Sequence, residues 1–266
     1  MSKHQRWSTL LELLAAKGRI EVEEAATALE VSGATIRRDL DELAEQHMLV
    51  RTRGGAIAHG VSYELPLRYK SSRQTSQKQR IAAAVSKLVS DGDVVGLNGG
   101  TTTTEVARAL ALRTGGGGVR EPGAPVAPVL TVVTNALNIA ADLAVRPQIK
   151  IVTTGGVARP QTFELVGPLT VGVLREVVLD VVVLGVDGID PDLGVMTHQE
   201  DEASVSRLFA ERAQRVVVAA DSSKTGRRAF ARICGLDRID VLVSDTGLPA
   251  EAATRLREAG VEVITV

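Results

Sequence analysis

The 266-residue chain carries 31 Lys and Arg against 32 Asp and Glu, with 44% hydrophobic and 24% charged residues, which excludes a disordered polymer and a surface coated in basic charge. No apolar run reaches the roughly 18 residues of a membrane span (Val177–Val186, the strongest, is broken by Asp180), and Met1–Trp7 lacks the apolar stretch of a secretory signal, so a cytoplasmic protein without membrane partners is expected. A single cysteine, Cys234, excludes an internal disulfide, and with His4, His47, His59 and His198 scattered along the chain no metal or cofactor is expected.

Residues 3–59 read as a first domain. Leu10, Leu13, Leu14 and Ala15 give the apolar face of a helix that ends near Gly18, with Trp7 expected to pack it into the domain. A second helix, about 22–29, places Val22, Ala25, Ala26 and Leu29 on one side. After a break, Ser32 is a good N-cap for a third helix over about 33–47. Its Ile36, Leu40 and Leu43 recur at core spacing, which leaves Ala34, Thr35, Arg37, Arg38 and Glu42 for solvent or a partner. Residues 49–58 then read as two short strands around the Gly54-Gly55 turn. Three helices and a hairpin make a winged helix-turn-helix.

The start of a recognition helix points into the major groove, where arginine can donate twice to guanine and threonine can touch a methyl or a phosphate. Thr35, Arg37 and Arg38 fit that role. The plainer alternative is a solvated face with Arg38 paired to Glu42 one turn on. In the wing, Arg51 and Arg53 flank a turn thin enough to approach phosphates.

Residues 60–80 carry Arg68, Lys70, Arg73, Lys78 and Arg80 against the single acid Glu64 and read as a basic linker, partly helical toward its end. Residues 81–266 alternate β-branched runs with helical stretches. Strands are predicted at 94–97, 130–134, 150–153, 179–185, 216–220, 241–244 and 261–266, and helices at 102–112, 136–145, 202–213 and 250–259. The Gly/Pro-rich stretch 114–128 reads as a surface loop. Non-alternating Val/Ile runs suit strands buried on both faces, hence an α/β domain with a mostly parallel sheet and ligands at the carboxyl ends of its strands.

The polar motifs fall at those ends. Asn98-Gly99-Gly100-Thr101-Thr102-Thr103 runs from a strand straight into a helix; glycines admit an anion to backbone N–H groups, hydroxyls add donors, and the helix dipole favours negative charge. No lysine follows, so it is not a Walker loop; a capped turn without ligand is the alternative. Asn135, Gly155, Gly156, Asp187, Gly188, Glu200, Glu202 and Lys224 mark further strand ends. Asn135 and Asp187 can hold sugar hydroxyls and Lys224 can neutralise a phosphate, although each alone is a common helix cap or turn residue. His198 is expected as a loop residue at the site mouth and Cys234 as a small apolar filler.

The string Ser32-Gly33-Ala34-Thr35-Ile36-Arg37-Arg38-Asp39-Leu40, followed by Arg51-Thr52-Arg53-Gly54-Gly55-Ala56, resembles the DNA-binding domain of DeoR-family bacterial transcription regulators. Arg53 stands where that wing usually has histidine. The glycine-threonine loop is similar to the family's Asp-x-Gly-Thr-Thr phosphate loop, with Asn98 in the aspartate position. The family often has a lysine near the place of Ser206. The resemblance implies an effector domain similar to ribose-5-phosphate isomerase and coenzyme A transferases. It also implies double-stranded operator DNA and a phosphorylated sugar as partners, and a homo-oligomer, dimer or tetramer. The function expected is a repressor of sugar or related carbon metabolism genes rather than an enzyme. Two alternatives remain: an isomerase using Asp187, Asp190 and Lys224 with an added DNA-binding domain, and a protein-binding winged helix.

Overall fold

The computed structural model describes residues 3–45, 48–57, 75–114 and 128–266. The chain divides into two compact units, Met1–Arg73 and Gln74–Val266. No helix among the described residues is long and apolar enough to cross a membrane.

In the first unit, helices α1 (Lys3–Lys17), α2 (Val22–Ala28) and α3 (Gly33–Glu45) stand with strands β1 (Arg19–Glu21), β2 (Val50–Arg51) and β3 (Gly55–Ile57). Leu10, Leu14, Ile20, Ile36, Leu40 and Leu43 fill its core, with Trp7 buried beside them as expected. The predicted hairpin is present, but it has a third member: β1 pairs antiparallel with β3, giving the order β1-β3-β2. Gly55 is required by this close approach, since a β-carbon there would lie 1.9 Å from the Ile20 carbonyl oxygen. Residues 46 and 47, at the end of the predicted third helix, and Ala58, at the end of the predicted wing, lie outside the described residues.

The second unit opens with α4 (Thr75–Ser86), so residues 75–80, placed by sequence at the end of the linker, are helix, and Lys78 is buried. Residues 60–74 of the expected linker, and 115–127 of the expected Gly/Pro loop, lie outside the described residues. Seven strands follow in one sheet: β4 (Val94–Leu97), β5 (Leu130–Thr134), β6 (Ile149–Thr153), β9 (Leu179–Leu184), β12 (Ala213–Ala219), β14 (Val241–Ser244) and β15 (Glu262–Thr265). Their order is β15-β14-β12-β9-β4-β5-β6, and every pairing is parallel. These are the seven strands predicted from the Val/Ile runs.

Both faces of the sheet are covered. Val182 and Leu184 of β9 belong to one apolar cluster, Val181 and Val183 to the other; Val216 and Val218 of β12 likewise oppose Val217 and Ala219. That is why these strands read as continuous rather than alternating apolar runs, each buried valine contributing about 1.5–3 kcal/mol. The connecting helices are α5 (Thr101–Thr114), α6 (Leu137–Leu143), α7 (Pro168–Glu176), α8 (Glu200–Arg212) and α9 (Ala250–Glu258). Two small additions decorate the sheet: a hairpin of β7 (Val157–Ala158) and β8 (Leu165–Val166), and an antiparallel sheet of β10 (Gly188–Asp190), β11 (Gly194–Thr197) and β13 (Ala231–Cys234).

Candidate DNA-binding surface and effector crevice

Helix α3 separates its faces cleanly. Ile36, Asp39, Leu40 and Leu43 are buried. Ala34, Arg37, Arg38 and Asp41 are exposed at helical spacing on the opposite side. Ser32 Oγ accepts from Thr35 N at 3.2 Å and lies 2.9 Å from Thr35 Oγ1, so the helix is capped as its sequence predicts. Arg37 and Arg38 have no hydrogen bond or ion pair among the described residues. The pairing of Arg38 with Glu42 does not form, because Glu42 instead meets Lys3 Nζ at 2.5 Å.

The two wing arginines differ. Arg53 is exposed beside Gly54. Arg51 is turned inward: Nε donates to Asp41 Oδ1 at 2.6 Å, and Nη1 donates to the carbonyls of Thr52 (3.2 Å) and Gly55. It ties the wing to α3. Asp39 is the residue sequence reasoning left without a role. It is 1% exposed and accepts from Arg6 Nε (2.5 Å), Arg6 Nη2 (3.1 Å) and Trp7 Nε1 (2.9 Å), which clamps α1 onto α3. The hydrogen bond to Asp39 raises the Arg6 pKa above its ordinary value.

In the second unit the strand order reverses between β4, whose sequence successors β5 and β6 lie on one side, and β9, which lies on the other. A ligand crevice belongs at the carboxyl ends of such a pair. Asn98 spans it. Its Oδ1 accepts from Gly185 N at 2.7 Å, and its Nδ2 donates to Gly185 O at 2.9 Å and Ser206 Oγ at 3.0 Å. The two departures from the DeoR pattern, Asn98 and Ser206, thus meet in one neutral hydrogen bond, and the Asn98 amide is used by the fold.

Gly100, with φ +140°, turns the chain into α5. The Thr103 and Thr104 hydroxyls donate back to its carbonyl at 3.1 and 2.6 Å, so Thr103 is fully buried as a structural residue. Thr101 is half-buried and Thr102 buried in the first turn, where N–H groups lack intrahelical acceptors.

At the strand ends the structure ties Asp187, Glu202 and Lys224 into a polar network and joins Asn135 to Glu164, with residues that sequence reasoning missed. Lys224 Nζ lies 3.3 Å from Asp187 Oδ1, and Thr197 Oγ1 donates to Asp187 Oδ2 at 3.0 Å. Glu202, 3% exposed, accepts from Thr162 Oγ1 at 2.7 Å and forms a close charge pair with Arg159 Nε at 3.1 Å. Arg159 Nη1 also reaches Gln199 Oε1 at 3.1 Å. Asn135 Nδ2 donates to Glu164 Oε2 at 2.9 Å.

Other predicted positions have different surroundings. Glu200 is exposed at the head of α8. Gly155 and Gly156 are left-handed, at φ 71° and 124°, where the chain leaves β6 for the β7–β8 hairpin. Gly188 lies inside β10, where a β-carbon would approach the Arg227 carbonyl oxygen to 2.5 Å. His198 is a half-buried residue before α8. Cys234 is half-buried, and desolvation pushes its thiol up to about 11, which disfavours the thiolate. Asp190 is held in place: it accepts from Arg228 Nε at 2.6 Å and from the N–H groups of Asp192 and Leu193 at 2.9 and 3.0 Å, and the Arg228 bond leads the causes that lower its pKa.

A winged helix-turn-helix followed by an α/β unit whose seven-stranded main sheet is parallel, with polar residues at its switch point, is the build of a DNA-binding regulator with a sensor domain. Comparison with known proteins agrees. Residues 6–60 match the DeoR-like helix-turn-helix domain, and residues 73–246 match the DeoR C terminal sensor domain. The chain belongs to the DeoR family of DNA-binding transcriptional regulators. It is 35% identical to the putative aga operon transcriptional repressor of Escherichia coli O157:H7, covering 98% of this chain and 93% of that one. It is 30% identical to the glycerol-3-phosphate regulon repressor of Escherichia coli K12, over 99% of each. Among solved structures, ribose 5-phosphate isomerase from Plasmodium falciparum overlaps 56% of this chain and 52% of its own, at 16% identity and a TM-score of 0.40.

Proposed function

We propose that the chain is a repressor that reads operator DNA with α3 and the wing, under control of a phosphorylated sugar-type metabolite bound at the β4–β9 crevice. The observation that carries the DNA half is the bare arginine stripe. Arg37 and Arg38 are exposed on α3 with no partner among the described residues, and a cation so placed can donate to guanine edges. Ser32, Ala34 and Thr35 open the same helix toward the groove. Arg53, Gly54 and Gly55 bring charge and a thin backbone to the phosphates, while Arg51 holds the wing in position. Relatives named as repressors support the sign of regulation.

The sensor half rests on Gly99, Gly100, Thr101 and Thr102 at the head of the 14-residue helix α5, with Lys224, Asp187, Asn135 and Glu202 around it. The relative named for a glycerol-3-phosphate regulon points to the same ligand chemistry. The isomerase alternative loses its second acid: Asp190 is tied by three donors, and its lowered pKa suits a structural anion rather than a proton donor. Residues 3–59 form the DNA-binding domain, and the sensor extends from the start of α4. A homo-oligomer, dimer or tetramer, matches repeated half-sites.

A thermal-shift screen of phosphorylated sugars tests the sensor half. A ligand that raises the melting temperature of the full chain should lose its effect when Thr101 and Thr102 become Val and Lys224 becomes Ala. The same ligand should change operator affinity by about 5–150-fold and be recovered chemically unchanged. Turnover of the sugar, abolished by Asp187→Asn, would overturn the regulator reading in favour of an enzyme.

A further inference from the structure

Helices α7 and α8 lie on the same face of the main sheet, where Leu174 and Phe209 join the apolar cluster of Val182 and Val218. They also run in the same direction, since each ends where a strand of a parallel pair begins. Helix α7 stops at Glu176 just before β9, α8 runs into β12, and Leu179 and Ala213 at the starts of those strands are in register. Arg212 Nε donates to Val177 O at 2.9 Å, which ties the two carboxyl ends together. Between the helices runs a groove of about 480 Å³, with Val171 on one wall and Leu208 on the other.

The outer face of α7 is not that of a solvated helix. Its first seven residues, 168–174, carry no charge. Leu169 is 72% exposed, and a β-carbon on the exposed Gly172 would meet nothing within 4 Å. A surface helix ordinarily turns charged residues to water, and an open apolar face marks a contact.

Charge is confined to the ends of the groove. At the carboxyl ends of the helices, Arg175 and Glu211 stand on opposite walls; both are exposed, and neither has a partner among the described residues. Asp201 stands at the other end, likewise exposed and without a described partner. Further polar groups along the walls are used by the fold. Thr170 Oγ1 donates to Gly167 O at 2.7 Å, and Arg207 donates to the carbonyls of Ile233 at 3.0 Å and Arg232 at 2.6 Å. A small ligand would find few convergent polar groups here. A cation and an anion at the same level on opposite walls instead fit a copy of the same surface.

We propose that the α7–α8 groove is the contact between two copies of this chain, related by a two-fold axis along the groove. This names the surface of the homo-oligomer proposed above and rests on that reading. Such an axis lays α7 over the partner subunit's α8. Arg175 then faces the partner subunit's Glu211, and Glu211 faces the partner subunit's Arg175, so the contact is self-complementary. Asp201 comes over the amino end of the partner's α7, where the helix dipole favours an anion. An axis across the groove is excluded by charge, because it would set Asp201 against the partner subunit's Glu211.

The test follows the full chain by sedimentation equilibrium, with circular dichroism to check that each variant folds. Gly172→Arg places a long charged side chain where the single chain has open space. It should fold like the unaltered chain and break the contact, taking a dimer to monomer or a tetramer to dimer. Arg175→Glu and Glu211→Arg should each weaken association about tenfold, since each sets like charges face to face. The double variant Arg175→Glu/Glu211→Arg should recover the affinity of the unaltered chain to within about twofold, because the pairs are restored in reverse. Unchanged association in Gly172→Arg, or a double variant no tighter than the single ones, would overturn the groove as the contact and leave a homo-oligomer standing. A chain that stays monomeric at every concentration would overturn the oligomer and the groove together.

Discussion

The two units treat polar side chains in opposite ways. On α3 and the wing, Arg37, Arg38 and Arg53 are exposed and make no internal bond among the described residues. At the β4–β9 crevice, Asn98, Asn135, Glu164 and Glu202 are each at most 5% exposed and bonded to one another's neighbours. Groove readout needs donors that are free to reach base edges. Recognition of a small ligand needs donors and acceptors fixed in advance, because every group ordered beforehand lowers the entropy lost on binding. The difference also locates fragility. In the DNA-binding unit Arg37, Arg38 and Arg53 stand apart from the structural groups Asp39 and Arg51, whereas in the sensor the polar residues at the strand ends also hold the fold.

The sharpest way to break that contrast is through Asp39. Asp39→Ala removes the acceptor of the half-buried Arg6 guanidinium and strands the buried Trp7 N–H, and should destabilise the first unit by about 3 kcal/mol. Denaturation followed by Trp7 fluorescence reads this unit alone, since Trp7 is the single tryptophan; the sensor's transition should not move. Next in size, Arg37→Ala or Arg38→Ala should cost about 1–3 kcal/mol of operator affinity and relax specificity at one position, with unchanged melting. A smaller effect separates the wing arginines. Arg53→Ala should weaken operator and random DNA alike and reduce the salt slope by about one phosphate's worth. Arg51→Ala should lower stability as well, because its bonds to Asp41 and the wing carbonyls are lost.

The smallest effect is in the sensor's acid stability. The folded Asp190 pKa lies below its unfolded value, so its contribution is present above the unfolded pKa and is lost as pH falls through the folded one. Asp190→Asn should therefore flatten the decline in sensor stability below about pH 4 while leaving the shape of the curve near neutrality unchanged.

Much of this was legible in the chain itself. Continuous Val/Ile runs gave all seven strands because burial on two faces leaves no polar alternation to confuse the pattern. Periodicity and Ser32 placed α3. The short strands were not legible: β1, β7, β8, β10, β11 and β13 hold two to four residues each, too few for an alternation to show. Only the start of α4 was foreseen, as the helical end of the linker; its continuation to Ser86 was not, although Ile81, Ala82 and Val85 carry its buried face. At the crevice, motif reasoning found residues at strand ends but not Arg159, Thr162 and Glu164, which a hairpin delivers from elsewhere in the sheet's connections. One faint signal existed for the Asn98–Ser206 contact. Both positions depart from the family pattern, and a joint departure is what a replaced charge pair would leave.

Selection of genomic DNA fragments by the purified full chain, run beside the double variant Arg37→Ala/Arg38→Ala, is the most direct test of the repressor's reading surface. The unaltered chain should enrich a small set of fragments sharing a repeated half-site, and the double variant, melting at the same temperature, should enrich none of them. Enrichment of the same fragments by both proteins would contradict the assignment of α3 as the element that reads DNA.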